Sequence, residues 1–141
     1  MQRFKNILCI IDTETASSAA LQRAVTLALS NRATLTVVKV IERVSAGIGM
    51  PDGGPISIEL QNALQQEQQA RLEKLIEPFV NQLSVSIKIL KGIFFVEVIR
   101  EVLRSHHDLL IKTAHSENWL KRLFSSDDMH LLRKCPCPVW L

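Results

Sequence analysis

The chain has 141 residues, the size of one domain, with 47% hydrophobic and 22% charged residues. That apolar share supports a real core and excludes a chain disordered along most of its length. The net charge is only +3, the basic residues are scattered, and there is no Tyr. Nucleic-acid binding would call for a concentrated basic stripe with interleaved aromatics, so it is not expected.

The opening MQRFKNILCIID carries an apolar run too short for a secretory signal. No run approaches the roughly 18 apolar residues of a membrane span. Three cysteines, an odd number, fit a reducing compartment better than a disulfide framework. The expectation is a cytoplasmic protein without a membrane partner.

Residues 6–11 (NILCII) form a continuous apolar run, the pattern of a strand buried on both faces. Asp12 and Thr13 then offer a helix N-cap. Over residues 17–30, Ala20, Leu21, Ala24, Val25, Ala28 and Leu29 fall on one helical face. Residues 34–41 (TLTVVKVI) are β-branched and read as a second strand. A loop over residues 42–55 follows, with four of the five glycines and two of the five prolines, long enough to be functional or mobile.

A long helix is expected from Ser57, with Leu60, Leu64, Leu72, Leu75 and Phe79 on one side and a Gln- and Glu-rich solvated face opposite. Pro78 is expected to kink or end it. Residues 85–90 (VSIKIL) alternate and predict a third strand. After Gly92, residues 95–105 predict a helix with Val98, Ile99, Val102 and Leu103 inward. Residues 108–111 (DLLI) predict strand four, and residues 118–124 a short helical piece. Ser125 to Asp128 resemble a cap for a last helix through Lys134, and residues 138–141 (PVWL) predict a final strand. Strands alternating with helices favour a parallel sheet with helices on both faces, in an α/β fold of one domain, residues 1–141. In such sheets ligands sit beyond the C-terminal strand ends where strand order reverses. Strands one and four are the natural neighbours there, which places Asp12 and the 112–117 turn on one rim.

NILCIID, the small-residue helix, VVKVIE, the long loop, DLLIKTAHS and LLRKCPCPVW together resemble a universal stress protein domain. The resemblance covers essentially the whole chain, and KTAH and HLLRKCPCPVW look most like the tandem subclass, in which two such domains share one polypeptide. It implies a Rossmann-like fold of the adenine nucleotide alpha hydrolase type, a five-stranded parallel sheet in the order 3-2-1-4-5. It also implies ATP binding in many members and dimerisation through the last strand in many. Carried over by this resemblance, Asp12 matches the acid that faces the adenosine, and Val40 the residue whose backbone pairs with adenine. The glycines of the family's phosphate motif, Gly-x2-Gly-x9-Gly-Ser/Thr, fall at Thr113, Ser116 and Ser126, with Asp127 at the Ser/Thr place. All three glycines are absent, and none occurs after Gly92.

Glycine in a phosphate loop permits positive φ and close approach of backbone amides to the anion. A left-handed conformation costs another residue roughly 1–2 kcal/mol, so several such positions together favour a different path for the turn. Ser126 or Asp127 can cap the last helix itself, and Asp127 and Asp128 repel a polyphosphate. Like charges 4 Å apart oppose each other by about 4 kcal/mol at a surface-like dielectric. Lys112, Lys121 and Arg122 offset part of this. No cofactor is therefore expected, with adenosine or AMP a better fit than ATP.

CPCP at residues 135–138 is C-x-C rather than C-x-x-C, and proline after each cysteine suits a helix ending and a strand beginning, so a structural reading is favoured over metal or redox chemistry. Cys9 reads as a small buried hydrophobe. His106 and His107 end a helix, where basic side chains suit the dipole. His115 lies on the rim, bracing the turn or touching a ligand. His130 lies in the last helix. Asp12 with His115 and Ser116 superficially suggests a weak nucleotide hydrolase, but no nucleophile elbow exists, so an enzyme is not expected. No metal site is expected. Trp140 either packs into the core or stands at the sheet edge, where an apolar strand finds a partner. The partner would be a second copy or a second universal stress protein domain, the chain then being a piece of a tandem parent. The leading expectation is a non-enzymatic stress-response module acting through protein association with a degenerate nucleotide site. The alternative is an adenine-nucleotide-binding switch that uses Asp12, Val40, Thr113, His115, Ser116 and Ser126.

Overall fold

In the computed structural model, residues 4–11, 14–41, 58–112 and 133–140 are described. The elements run β1 (Asn6–Ile10), α1 (Glu14–Asn31), β2 (Thr34–Ile41), α2 (Ile58–Ile76), β3 (Val85–Lys91), α3 (Phe94–Ser105), β4 (Leu109–Lys112) and β5 (Val139–Trp140). A short 3-10 turn, Glu77–Phe79, closes α2, with Pro78 inside it as a helix stop. Every strand pairs parallel to its neighbours, in the order β3-β2-β1-β4-β5. The expected fold class and strand order are therefore those observed.

The period of two along each strand divides the core into two layers. Ile7, Cys9, Leu35, Val37, Leu109 and Ile111 face one side, against Ala20, Leu21, Ala24, Val25 and Ala28 of α1 and Leu72 and Ile76 of α2. Leu8, Ile10, Val38, Val40, Leu90 and Leu110 face the other, against Phe94, Val98 and Val102 of α3. The small residues of α1 let it lie close on the sheet. Cys9 is fully buried, and burial pushes its thiol up to about 12, as suits an inert core residue.

Three expectations need correction. Leu29 and Leu103 are exposed, and the inward position on α3 that Leu103 was expected to share belongs to Glu101. Leu60 and Leu64 are also exposed. Helix α2 has 19 residues, about 28 Å at the α-helical rise. Strand β3 has seven, about 23 Å, and the buried apolar residues of α2, Leu72 and Ile76, both lie in its C-terminal half. The helical piece over residues 118–124 and most of the last helix lie outside the described residues. Arg133 and Lys134 are helical, and CPCP leads from them into β5.

The N-terminal strand ends are stitched by polar side chains. The Asp108 carboxylate accepts from the backbone amides of Lys5 (2.6 Å) and Asn6 (3.0 Å). The Asn6 amide group donates to the Ser105 carbonyl (2.6 Å) and the His106 carbonyl (3.3 Å). Together they tie the start of β1 to the end of α3 and the start of β4. Leu110→Ala, at a fully buried site in β4, is expected to lower stability by about 2–5 kcal/mol in urea denaturation, while Leu103→Ala changes it by no more than about 0.5 kcal/mol.

Candidate functional site

Strand order reverses between β1 and β4, and the C-terminal ends of these strands frame the expected ligand rim. The register sets Ile10 beside Lys112. The next residue of β1's chain, Ile11, donates its amide to the Val38 carbonyl (2.9 Å). The segments leading to Asp12 and Thr113 thus leave the sheet side by side. Asp12, Thr113, His115, Ser116 and Ser126 themselves lie outside the described residues, as do Lys121, Arg122, Asp127, Asp128 and His130.

Val40 is described, and its position is informative. The β1–β2 register ends at Ile10 and Val38, whereas β2 continues to Ile41 against β3. Val40 therefore stands past the end of β1, with its side chain buried toward α3 and its backbone at the rim. Lys112 is a finding the sequence did not announce. It is only 2% exposed, and its amine lies 5.6 Å from the centroid of the Phe94 ring, a cation–π contact at the first turn of α3. Gly92 shapes the adjoining turn. Its φ of 141° is unfavourable for other residues, and a Cβ there would lie 2.9 Å from the Glu97 side chain.

At the opposite pole of the sheet sits a second polar cluster, which periodicity missed because it treats Glu101 as a solvated residue. Glu101 is fully buried. Lys88 of β3 donates to its Oε1, as does the Ser105 hydroxyl (2.8 Å). Lys88 also donates to Ser105 Oγ (3.1 Å). His107, expected to serve the helix end, is instead buried, with Nδ1 2.9 Å from Asn6 Oδ1 and Nε2 3.5 Å from Glu101 Oε1. His106 takes the left-handed capping conformation that ends α3. Arg104 reaches Glu101 Oε2 only at 3.8 Å, and among the described residues neither that oxygen nor His107 Nε2 has a hydrogen-bond partner.

Burial opposes ionisation of Glu101, but the hydrogen bonds from Lys88 and Ser105, with the Lys88 charge and His107, outweigh it and hold its carboxyl below the usual range. Burial, aided by the nearby Lys88 charge, pushes the His107 imidazole down despite Glu101. Among the described residues no group of three or more His, Cys, Asp or Glu side chains is arranged to hold a metal ion. No helix among them is long and apolar enough to cross a membrane.

A doubly covered parallel sheet whose strand order reverses between β1 and β4 defines a Rossmann-like α/β protein. The family model described as the Universal stress protein family matches residues 3–141, and the chain belongs to that family. Universal stress protein A homolog 1 of Coxiella burnetii is 30% identical, over 96% of this chain and 94% of its own length. Universal stress protein E of Photorhabdus laumondii is 28% identical over the whole chain but only 46% of its own length. The chain thus spans about half the length of that relative. Among solved structures, universal stress protein UspA from Lactobacillus plantarum shares the fold, with a TM-score of 0.78 and 24% identity over 97% of this chain and 96% of that one. A universal stress protein solved in complex with cAMP has a TM-score of 0.62 and 14% identity over 98% of this chain and 95% of that one.

Two outcomes test the polar cluster. Lys88 is 40% exposed and can rehydrate, whereas Glu101 cannot. Lys88→Met, which strands a buried carboxylate, is expected to cost about 3–5 kcal/mol in urea denaturation, and Glu101→Gln distinctly less. The depressed values of His107 and Glu101 mean that the folded state binds fewer protons than the unfolded chain. Their stabilisation is complete above the ordinary histidine value of 6.5 and declines as pH falls. The His107 share is lost first, and the Glu101 share below its ordinary 4.5. Urea midpoints measured across this range should fall with acidification, and Glu101→Gln should flatten the acid end.

Proposed function

We propose that the chain is a non-enzymatic stress-response module that acts through protein association and carries a degenerate nucleotide site. The observation that carries this reading is the edge of the sheet. Strand β5 is only two residues long and pairs with β4 through Leu110–Val139 and Ile111–Trp140. Its outer side has no strand partner among the described residues. Trp140 is 52% exposed there, so the alternative of a core tryptophan is set aside. An exposed apolar edge strand is a template for a partner. That partner is a second copy or a second domain of the same family, in keeping with relatives twice as long.

The degenerate site rests on the sequence. No glycine follows Gly92, so the turn after β4 has none of the residues that present bare backbone amides to phosphate at low cost. A second reading, an adenine-nucleotide switch using Asp12, Val40 and residues 113–126, draws support from Val40 standing past the end of β1 and from the cAMP complex of a structural neighbour.

Light scattering should find a dimer, and Trp140→Ala should weaken self-association by at least about tenfold. A strict monomer at high concentration would contradict association. Calorimetric titration with Mg-ATP and AMP, with phosphate release followed in parallel, separates the remaining readings. Micromolar ATP affinity would establish the switch, and turnover abolished by Asp12→Asn would establish an enzyme. The proposal expects neither.

A further inference from the structure

The CPCP segment does more than join the last helix to β5. The Cys135 and Cys137 sulfurs lie 3.6 Å apart and share a thiol hydrogen bond. Both side chains are half-buried against the α3 layer of the core, so a small solute can reach them, whereas Cys9 is sealed within β1. Pro136 between them fixes its own φ and restricts Cys135, which limits the ways the two thiols can swing apart.

We propose that Cys135 and Cys137 form a peroxide-reactive dithiol that closes reversibly to an intrachain disulfide. The two thiols are unequal. The hydrogen bond from Cys137 pulls the Cys135 thiol down to about 7, despite its partial burial. The same bond, then burial, then the Cys135 charge and Asp108 push Cys137 up. Cys135 is therefore the thiolate that attacks, since the thiolate is the nucleophile.

Attack on hydrogen peroxide forms the Cys135 S–O bond and breaks the O–O bond. It leaves a sulfenic acid and releases hydroxide, which takes up a proton to become water. That step removes the charge on Cys135 and its role as acceptor, two of the causes that hold Cys137 protonated. Cys137 then loses its proton and attacks the Cys135 sulfur. The S–S bond forms, the S–O bond breaks, and the departing hydroxide is protonated to a second water. In sum, two thiols and one peroxide give one disulfide and two waters. A disulfide between residues two apart closes a small, strained ring, and strained disulfides are the readily reduced ones.

The test uses the full chain, reduced, freed of reductant and exposed to hydrogen peroxide near neutral pH. It is then denatured and alkylated with N-ethylmaleimide. The chain should lose two of its three alkylatable thiols. The tryptic peptide that begins at Cys135 should be lighter by two hydrogens, and dithiothreitol should restore it. In Cys137→Ser the reaction should stop at a Cys135 sulfenic acid that dimedone traps. Survival of all three thiols, oxidation of Cys9 ahead of the pair, or a disulfide found only between two chains would overturn the proposal. These wild-type readings decide the matter even if the variant fails to fold.

Discussion

The position of β1 between β2 and β4 is the constraint on which the rest of the structure depends. Parallel pairing on both sides, with both faces covered, keeps the side chains after Asn6 from water, which is why residues 7–11 are uninterruptedly apolar. Because β2 and β4 leave β1 in opposite directions across the sheet, their crossovers diverge. The gap between them at the C-terminal ends is where Ile11 and Lys112 lead the chain off the sheet.

The two poles of the sheet are built differently. At the N-terminal pole, Asp108, Asn6, His107, Glu101, Ser105 and Lys88 form one connected set of polar contacts that joins β1, β3, β4 and α3. Such buried networks fix register, since a one-residue slip would strand a charge. At the C-terminal pole the described polar groups include a buried lysine held over Phe94 and Glu97 beside Gly92, the last glycine of the chain. The described scaffold is thus well specified, while the sequence after Gly92 holds no glycine of the kind that makes a phosphate cradle inexpensive. That contrast is what the proposal of a fold serving association rests on.

Much of the fold was legible in the sequence. The β-branched runs locate the strands within about a residue, because period-two burial leaves little freedom of register. Helix faces were less legible. Glu101 occupies an inward position on α3, yet a carboxylate counts as polar in any periodicity. Its partner Lys88 lies thirteen residues earlier, on a strand whose distance from α3 only the fold sets. Leu60 and Leu64 match a buried helical stripe, yet both are exposed, because periodicity shows which face a residue lies on and not how far along the helix that face is covered. His107 looked like a helix-end charge because the turn at His106 that swings it inward is not encoded by a glycine. Of the candidate site, Val40 was readable by resemblance alone. Lys112 was readable as a charge but not as a buried one, since a lysine closing an apolar strand carries no signal of where its amine goes.

The central claim is that the turn after β4 offers no cradle for a triphosphate. An experimental structure of the chain at saturating Mg-ATP tests it most directly. The account predicts that no ordered phosphate density lies along residues 113–126. A fully ordered triphosphate held there by backbone amides would contradict it.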